Sequence, residues 1–142
     1  MSTERIELAL AVLIDAEGQV ALQRRRADSK VYAGRLSLFG GHMNAGEQPL
    51  VAANRELDEE LSVTFEQTRL KPLLEDEFDA VAEYADPIKV HIFQGYFPET
   101  YTIGECDGAV ERYSLQDALW RSDLVPTARA GLEQYIANKR GE

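Results

Sequence analysis

Glu56, Glu59 and Glu60 are spaced i, i+3 and i+4, so on a helix their carboxylates share one face. Nothing about an isolated helix favours that choice. Glu59 and Glu60 fall in its last turn, where the macrodipole disfavours anions, and neighbouring carboxylates raise one another's pKa values. A hard divalent cation reverses both signs, and carboxylate oxygens are the ligands Mg²⁺ takes. A lone Glu-Glu pair would ordinarily be solvated surface. Here Gly41, Glu47, Arg55, Leu57 and Val63 stand at fixed distances around the acids. Meeting all those positions by chance has odds on the order of 10⁻⁵ per chain at average residue usage.

The stretch Gly41–Val63 resembles the Nudix box, the loop–helix–loop signature of the Nudix hydrolases: Gly, five residues, Glu, seven residues, Arg-Glu, aliphatic, one residue, Glu-Glu, one residue, Gly, aliphatic. Every fixed position matches except Ser62, which stands where the pattern has Gly. The resemblance implies that Glu56, Glu59 and Glu60 bind Mg²⁺ or Mn²⁺, with the Gly40 carbonyl completing the shell and Glu56 and Glu59 taking part in catalysis. It implies a buried ion pair between Glu47 and Arg55 that orients the loop against the helix. The general base it implies is Glu105, upstream of Tyr113-Ser114-Leu115, with Glu111 as the fallback. Ser62 would occupy a left-handed position past the helix end, at ~1 kcal/mol relative to Gly.

The implied activity is metal-dependent hydrolysis of a pyrophosphate bond in a nucleoside diphosphate linked to another moiety. The Ser-Gln-Pro-Trp-Pro-Phe motif of the NADH subgroup is absent, and the coenzyme A motif is not recognisable. The downstream proline of ADP-ribose hydrolases has only Pro87 as a distant counterpart. A nucleoside triphosphate, including oxidised dGTP, is the favoured substrate by elimination; nucleotide-sugar, ADP-ribose and dinucleoside substrates are the alternatives. Two rivals are an isomerase of the same fold, for which Cys106 sits outside any matching motif, and a non-catalytic nucleotide-sensing module, which would usually have lost box glutamates. Family members commonly form homodimers, and nothing in the sequence decides that point.

The elements that must position these residues read as follows. Glu7–Asp15 and Gln19–Arg24 form a hairpin about Ala16-Glu17-Gly18. Leu36–Phe39 is a short apolar run that Gly40-Gly41 breaks. Pro49–Leu61 is the clearest helix, with Leu50, Ala53, Leu57 and Leu61 as its anchoring stripe. Leu70–Phe78, Ile88–Phe97 and Ala109–Tyr113 read as strands, with Ile88, Val90 and Ile92 on one face and Lys89 and His91 on the other. Ser114 caps a short helix through Trp120, and Thr127–Lys139 is a C-terminal amphipathic helix. The pattern predicts one domain over residues 1–142, with a mixed central sheet and helices on both faces. By resemblance this α/β (α+β) arrangement is the Nudix α/β/α sandwich.

Arg24, Arg25 and Arg26 end a strand that should neighbour the box and are candidates to clamp phosphates, or simply surface charge. His42 and His91 read as packing or surface histidines. Phe39, Phe78, Tyr84 and Tyr96 are candidate stacking rings for which core or surface placement is the simpler reading. Net charge is −10, from 25 acidic and 15 basic residues, which disfavours nucleic acid and anionic membranes as partners. It would also repel a small nucleotide-type substrate unless a cation neutralises the carboxylates locally. The sequence holds one cysteine, no secretory signal pattern and no apolar run of membrane-spanning length, so a cytoplasmic setting is expected.

Overall fold

Leu8, Leu10 and Val12 alternate with Ala9, Ala11 and Leu13, and both sets are buried, so this strand must lie in a sheet covered on two sides. The computed structural model describes residues 6–29, 32–78, 87–102 and 108–141. Its elements in order are β1 (Ile6–Ile14), β2 (Val20–Arg24), β3 (Leu36–Ser37), β4 (Phe39–His42), α1 (Pro49–Leu61), α2 (Phe65–Thr68), β5 (Lys71–Phe78), β6 (Ile88–Tyr96), β7 (Ala109–Tyr113), α3 (Leu115–Trp120) and α4 (Pro126–Arg140). Among the described residues the strands make one mixed sheet in the order β3-β2-β1-β6-β5, with β4 added to β1 and β7 to β2. Only the central β1–β6 pair is parallel.

One edge of β1 is taken along its whole length by β6. The other edge forks: Leu8–Ala11 pair with β4, whereas Leu13 and Ile14 pair with β2. The segment from Leu36 to His42 crosses that fork, leaving β2 through β3 and joining β1 through β4. Ala9, Ala11 and Leu13 face Ala52, Ala53, Leu57 and Leu61 of α1. Leu8, Leu10 and Val12 face Ala128, Leu132 and Tyr135 of α4. The predicted sandwich with helices on both faces is therefore observed.

Three local readings change. Gly40-Gly41 does not end a strand but lies within β4, paired with Leu10 and Ala9. Gly40 has φ 128°, and a Cβ there would run into the β1 backbone, so only glycine permits this close pairing. Leu50 is 37% exposed and does not anchor α1; Ala52 is buried in its place, because small residues let the helix settle onto the alanines of β1. A short helix not read from the sequence, α2, follows the box. Thr64 and Gln67 form its capping box, a signal present in the sequence but overshadowed by the brevity of the element.

Ser62 caps α1 with φ 54° and ψ 42°, and its N–H donates to the Asp58 carbonyl at 2.9 Å. A side chain in this left-handed conformation carries strain that glycine lacks. Replacing Ser62 by Gly should therefore raise unfolding stability by about 0.5–1 kcal/mol, measurable as a higher urea midpoint at unchanged slope.

Candidate active site

The middle of α1 is tied to the loop before the helix by Arg55. Its Nε donates to Glu47 Oε2 at 2.8 Å and its Nη2 to Glu47 Oε1 at 3.0 Å, a bidentate pair. Nη2 also donates to the His42 carbonyl at 3.0 Å, which fixes β4 to the same guanidinium. Glu47 accepts a further bond from the Asn44 N–H at 2.9 Å. These donors, Arg55 first, hold the Glu47 carboxyl down at about 2.

Arg55 Nη1 then reaches Glu56 at 3.0 Å and Glu59 at 3.4 Å. Glu56 is half-buried, and burial raises its pKa against the pull of Arg55. Its carboxylate occupies the space a side chain at Gly41 would need: a Cβ there would lie 2.8 Å from it. Glu60 is buried, and its Oε1 accepts the Gly40 N–H at 2.8 Å. Glu59 stands at the rim with its side chain 59% exposed.

Glu56, Glu60, Gly40 and Gly41 border one cavity of about 270 Å³, with Arg25, Tyr32, Ser37 and Thr127 further along its wall. A hard dication fits this place by two observations. The donors are carboxylate oxygens, and the glycine backbone beside Glu56 leaves the cradle that a Cβ would fill. Among the described residues no three acidic side chains already converge as a ligand cluster. Arg55 instead supplies the positive charge that Glu56 and Glu59 share.

The arginine triplet separates into three fates. Arg24 is committed: its Nε and Nη2 donate to Glu111 at 2.9 and 2.8 Å, and Nη1 donates to Asp123 at 2.6 Å and to the Gly34 carbonyl at 3.1 Å. Four hydrogen bonds thus engage its guanidinium within the fold. Arg26 forks onto exposed Asp28. Arg25 alone of the three borders the cavity. Glu111 is likewise engaged; it accepts from Arg24 and from the Tyr113 hydroxyl, and Arg24 holds it down at about 2, which makes it a poor proton acceptor. Glu105, Cys106 and Tyr84 lie outside the described residues. His91 bonds Glu7 at 3.1 Å, and Phe39 is buried against Phe97. Phe78 is half-buried and Tyr96 is 60% exposed.

Sequence reasoning missed Tyr32, Ser37 and Thr127. Ser37 is buried at the β3–β4 crossing, and its hydroxyl has no hydrogen-bond partner within the described protein. No spacing rule could have found these residues, because the crossing and the start of α4 bring them together from distant parts of the chain. Asp123 fixes that approach: its backbone carbonyl accepts the Leu36 N–H at 2.9 Å, and the Leu36 carbonyl accepts the Val125 N–H at 3.0 Å.

The NUDIX domain model matches residues 5–135. Over 75 residues the chain is 32% identical to the 8-oxo-dGTP diphosphatase of Escherichia coli (strain K12), covering 53% of this chain and 57% of that protein. The chain thus spans little more than half the length of this curated relative. Among solved structures, a MutT protein from Methanosarcina mazei Go1 superposes with TM-score 0.80 at 22% identity, covering 98% of this chain and 99% of that one. The NUDIX domain of Shewanella oneidensis NrtR, solved with ADP ribose, gives TM-score 0.79 at 18% identity over 99% of this chain and 91% of that one. The chain belongs to the NUDIX domain family.

Two outcomes follow from the ion pairs. Glu47 and Glu111 have folded pKa values below the ordinary 4.5, so their stabilisation is present above about pH 4.5 and is lost as pH falls toward about 2. Urea unfolding followed from neutral pH down to about pH 2 should show this loss, and Glu47→Gln should shrink it. Arg24→Met should lower stability by about 1–2 kcal/mol, for partly buried pairs, while leaving substrate KM within about twofold.

Proposed function

We propose that this chain is a divalent-cation-dependent pyrophosphohydrolase acting on a nucleoside diphosphate linked to another group. The observation that carries the reading is the placement of the Glu56 and Glu60 carboxylates against the Gly40-Gly41 backbone at one cavity. Glu56, Glu59 and Glu60 would hold the cation, Mg²⁺ or Mn²⁺, with the Gly40 carbonyl. Family membership supports a divalent metal of this kind. Bound there, it supplies charge neutralisation for the pyrophosphate and polarises the phosphorus under attack.

The chain's own residues do the rest. Arg55 holds the loop and helix in register and donates to both Glu56 and Glu59. Arg25 borders the cavity where phosphate charge would lie. Glu105 is the proposed base that takes a proton from the attacking water, since the alternative, Glu111, is locked to Arg24. The water oxygen bonds to one phosphorus, the bridging P–O bond breaks, and the other phosphate leaves with the electron pair. Residues 1–142 act as one catalytic unit in this reading, because β1, β4, α1 and the start of α4 all contribute to the cavity wall.

A nucleoside triphosphate, oxidised dGTP included, is the proposed substrate, supported by the 8-oxo-dGTP diphosphatase relative. ADP-ribose is the second reading, supported by the structural likeness to the NrtR domain solved with that ligand. The single cysteine supports a reducing, cytoplasmic setting. Phosphate or pyrophosphate release from a nucleotide panel, with and without Mg²⁺, decides between these. Turnover should vanish in EDTA and fall roughly 10²-fold or more in Glu60→Gln with the fold intact. Full activity in EDTA would sink the hydrolase reading, and tight ADP-ribose binding without turnover would make the chain a sensing module.

A further inference from the structure

A second cavity, of about 340 Å³, lies at the opposite end of α4. Val125 and Thr127, at the start of that helix, border the first cavity, whereas Tyr135 and Lys139 border the second. The helix between Thr127 and Lys139 spans about 18 Å at its rise per residue, so the two are separate places. Their chemistry is opposite. Arg69, Lys71 and Lys139 line the second cavity together with Gln94, Tyr96 and Tyr135, and its described lining holds no carboxylate.

The three cations come from three elements: Arg69 caps α2, Lys71 opens β5, and Lys139 lies in the last turn of α4. Among the described residues none of them is in an ion pair, which is also true of Arg35, Arg129 and Arg140 but not of Arg24, Arg26, Arg55, Lys89, Arg112 and Arg121; only at this cavity do three such cations meet. In a chain of net charge −10, three cations left together without carboxylate partners form a local positive field. A lysine at a helix C-terminus or on an edge strand has ordinary uses. Those uses do not explain Arg69, which is held at φ 51°, where glycine would avoid strain of about 1 kcal/mol. Beside the cations sit an exposed ring, Tyr96, and a buried one, Tyr135, over which Lys139 Nζ lies 5.7 Å from the centroid.

We propose that this cavity is a second nucleotide site, independent of metal, in which Arg69, Lys71 and Lys139 take the phosphate oxygens and Tyr96 stacks on the base. The volume suits a mononucleotide. With no carboxylate in the described lining to attract a divalent ion, the phosphates are neutralised by the side-chain cations. The acidic remainder of the surface disfavours a polymer that would have to run beyond the cavity.

The test is titration of ¹⁵N-labelled full-length protein with AMP in EDTA. Saturable amide shifts at Lys71, Gly95, Tyr96 and Lys139, weakening with added salt, are expected. Lys71→Glu combined with Lys139→Glu should weaken AMP binding about tenfold or more, while the amide spectrum elsewhere stays native. Tyr96→Leu should weaken AMP binding but not binding of inorganic pyrophosphate. Shifts confined to Arg25 and Gly40–His42, or no shifts at all, would overturn the site. Pyrophosphate binding as tight as AMP, with Tyr96→Leu silent toward both, would overturn its nucleotide character. These readouts need no turnover, so they stand or fall separately from the hydrolase reading, which Mg²⁺-dependent phosphate release measures on its own.

Discussion

Two missing side chains set the terms for everything near the carboxylates. Gly40 allows β4 to lie against β1 where a Cβ would strike the neighbouring backbone, and Gly41 leaves open the volume that the Glu56 carboxylate fills. With β4 so close to α1, the Gly40 N–H reaches Glu60, and a buried carboxylate gains a donor instead of an unmet charge. Moving β4 outward by even a methyl's width would break this bond and open the cavity wall. The sheet pairing and the site geometry are therefore one constraint, exerted by backbone packing.

Arg55 is the counterweight. It binds Glu47, the His42 carbonyl, Glu56 and Glu59 at once, so a single guanidinium fixes the loop, the strand and the helix. An arginine can do this because its fork is planar and stays charged; a lysine in its place would offer a point charge without the bidentate geometry. The same contacts give Glu56 and Glu59, neighbours on one helix face, a positive partner within the fold. A dication would then compete with Arg55 for Glu59, the rim carboxylate with most freedom to move, while Glu56 and Glu60 stay seated in the wall.

The elements were legible in the sequence because each has a local cause: alternation for β1 and β6, the proline start of α1, the serine cap of α3. The Glu47–Arg55 contact was legible only through the resemblance to the Nudix box, which implies that pair; the structure has it as a bidentate bond. What escaped depended on which residues tertiary structure brings together. The run of three arginines reads as candidate phosphate clamps or as surface charge, and neither reading contains the partners of Arg24: β7 sets Glu111 beside it and the α3–α4 connection adds Asp123. Leu50 has the right helical phase, yet the neighbouring face of β1 is built of alanines, and the helix seats on Ala52 and Ala53 instead. Ser37 carries no local signal at all, since its burial follows from the fork in β1 that the segment Leu36–His42 crosses.

That fork also explains why the arginines of an acidic chain are so unevenly used. Beyond the fork, charge reinforces the strand pairing of β2: Arg24 ties β2 to β7 and to the loop before α4, and Arg121 clamps the same Asp123 from the other side while lying over Tyr113. Arg112 performs the parallel task at the hairpin end, between Asp15 and the rings of Phe97 and Tyr101. Each of these cations is held within reach of a carboxylate, which the surplus of acids makes easy. Carboxylate partnering is thus common but not universal among the basic residues: among the described residues Arg35 and Arg129 donate to backbone carbonyls instead. What sets Arg69, Lys71 and Lys139 apart is that three such cations converge on one cavity whose described lining holds no carboxylate, a place suited to an anion from outside.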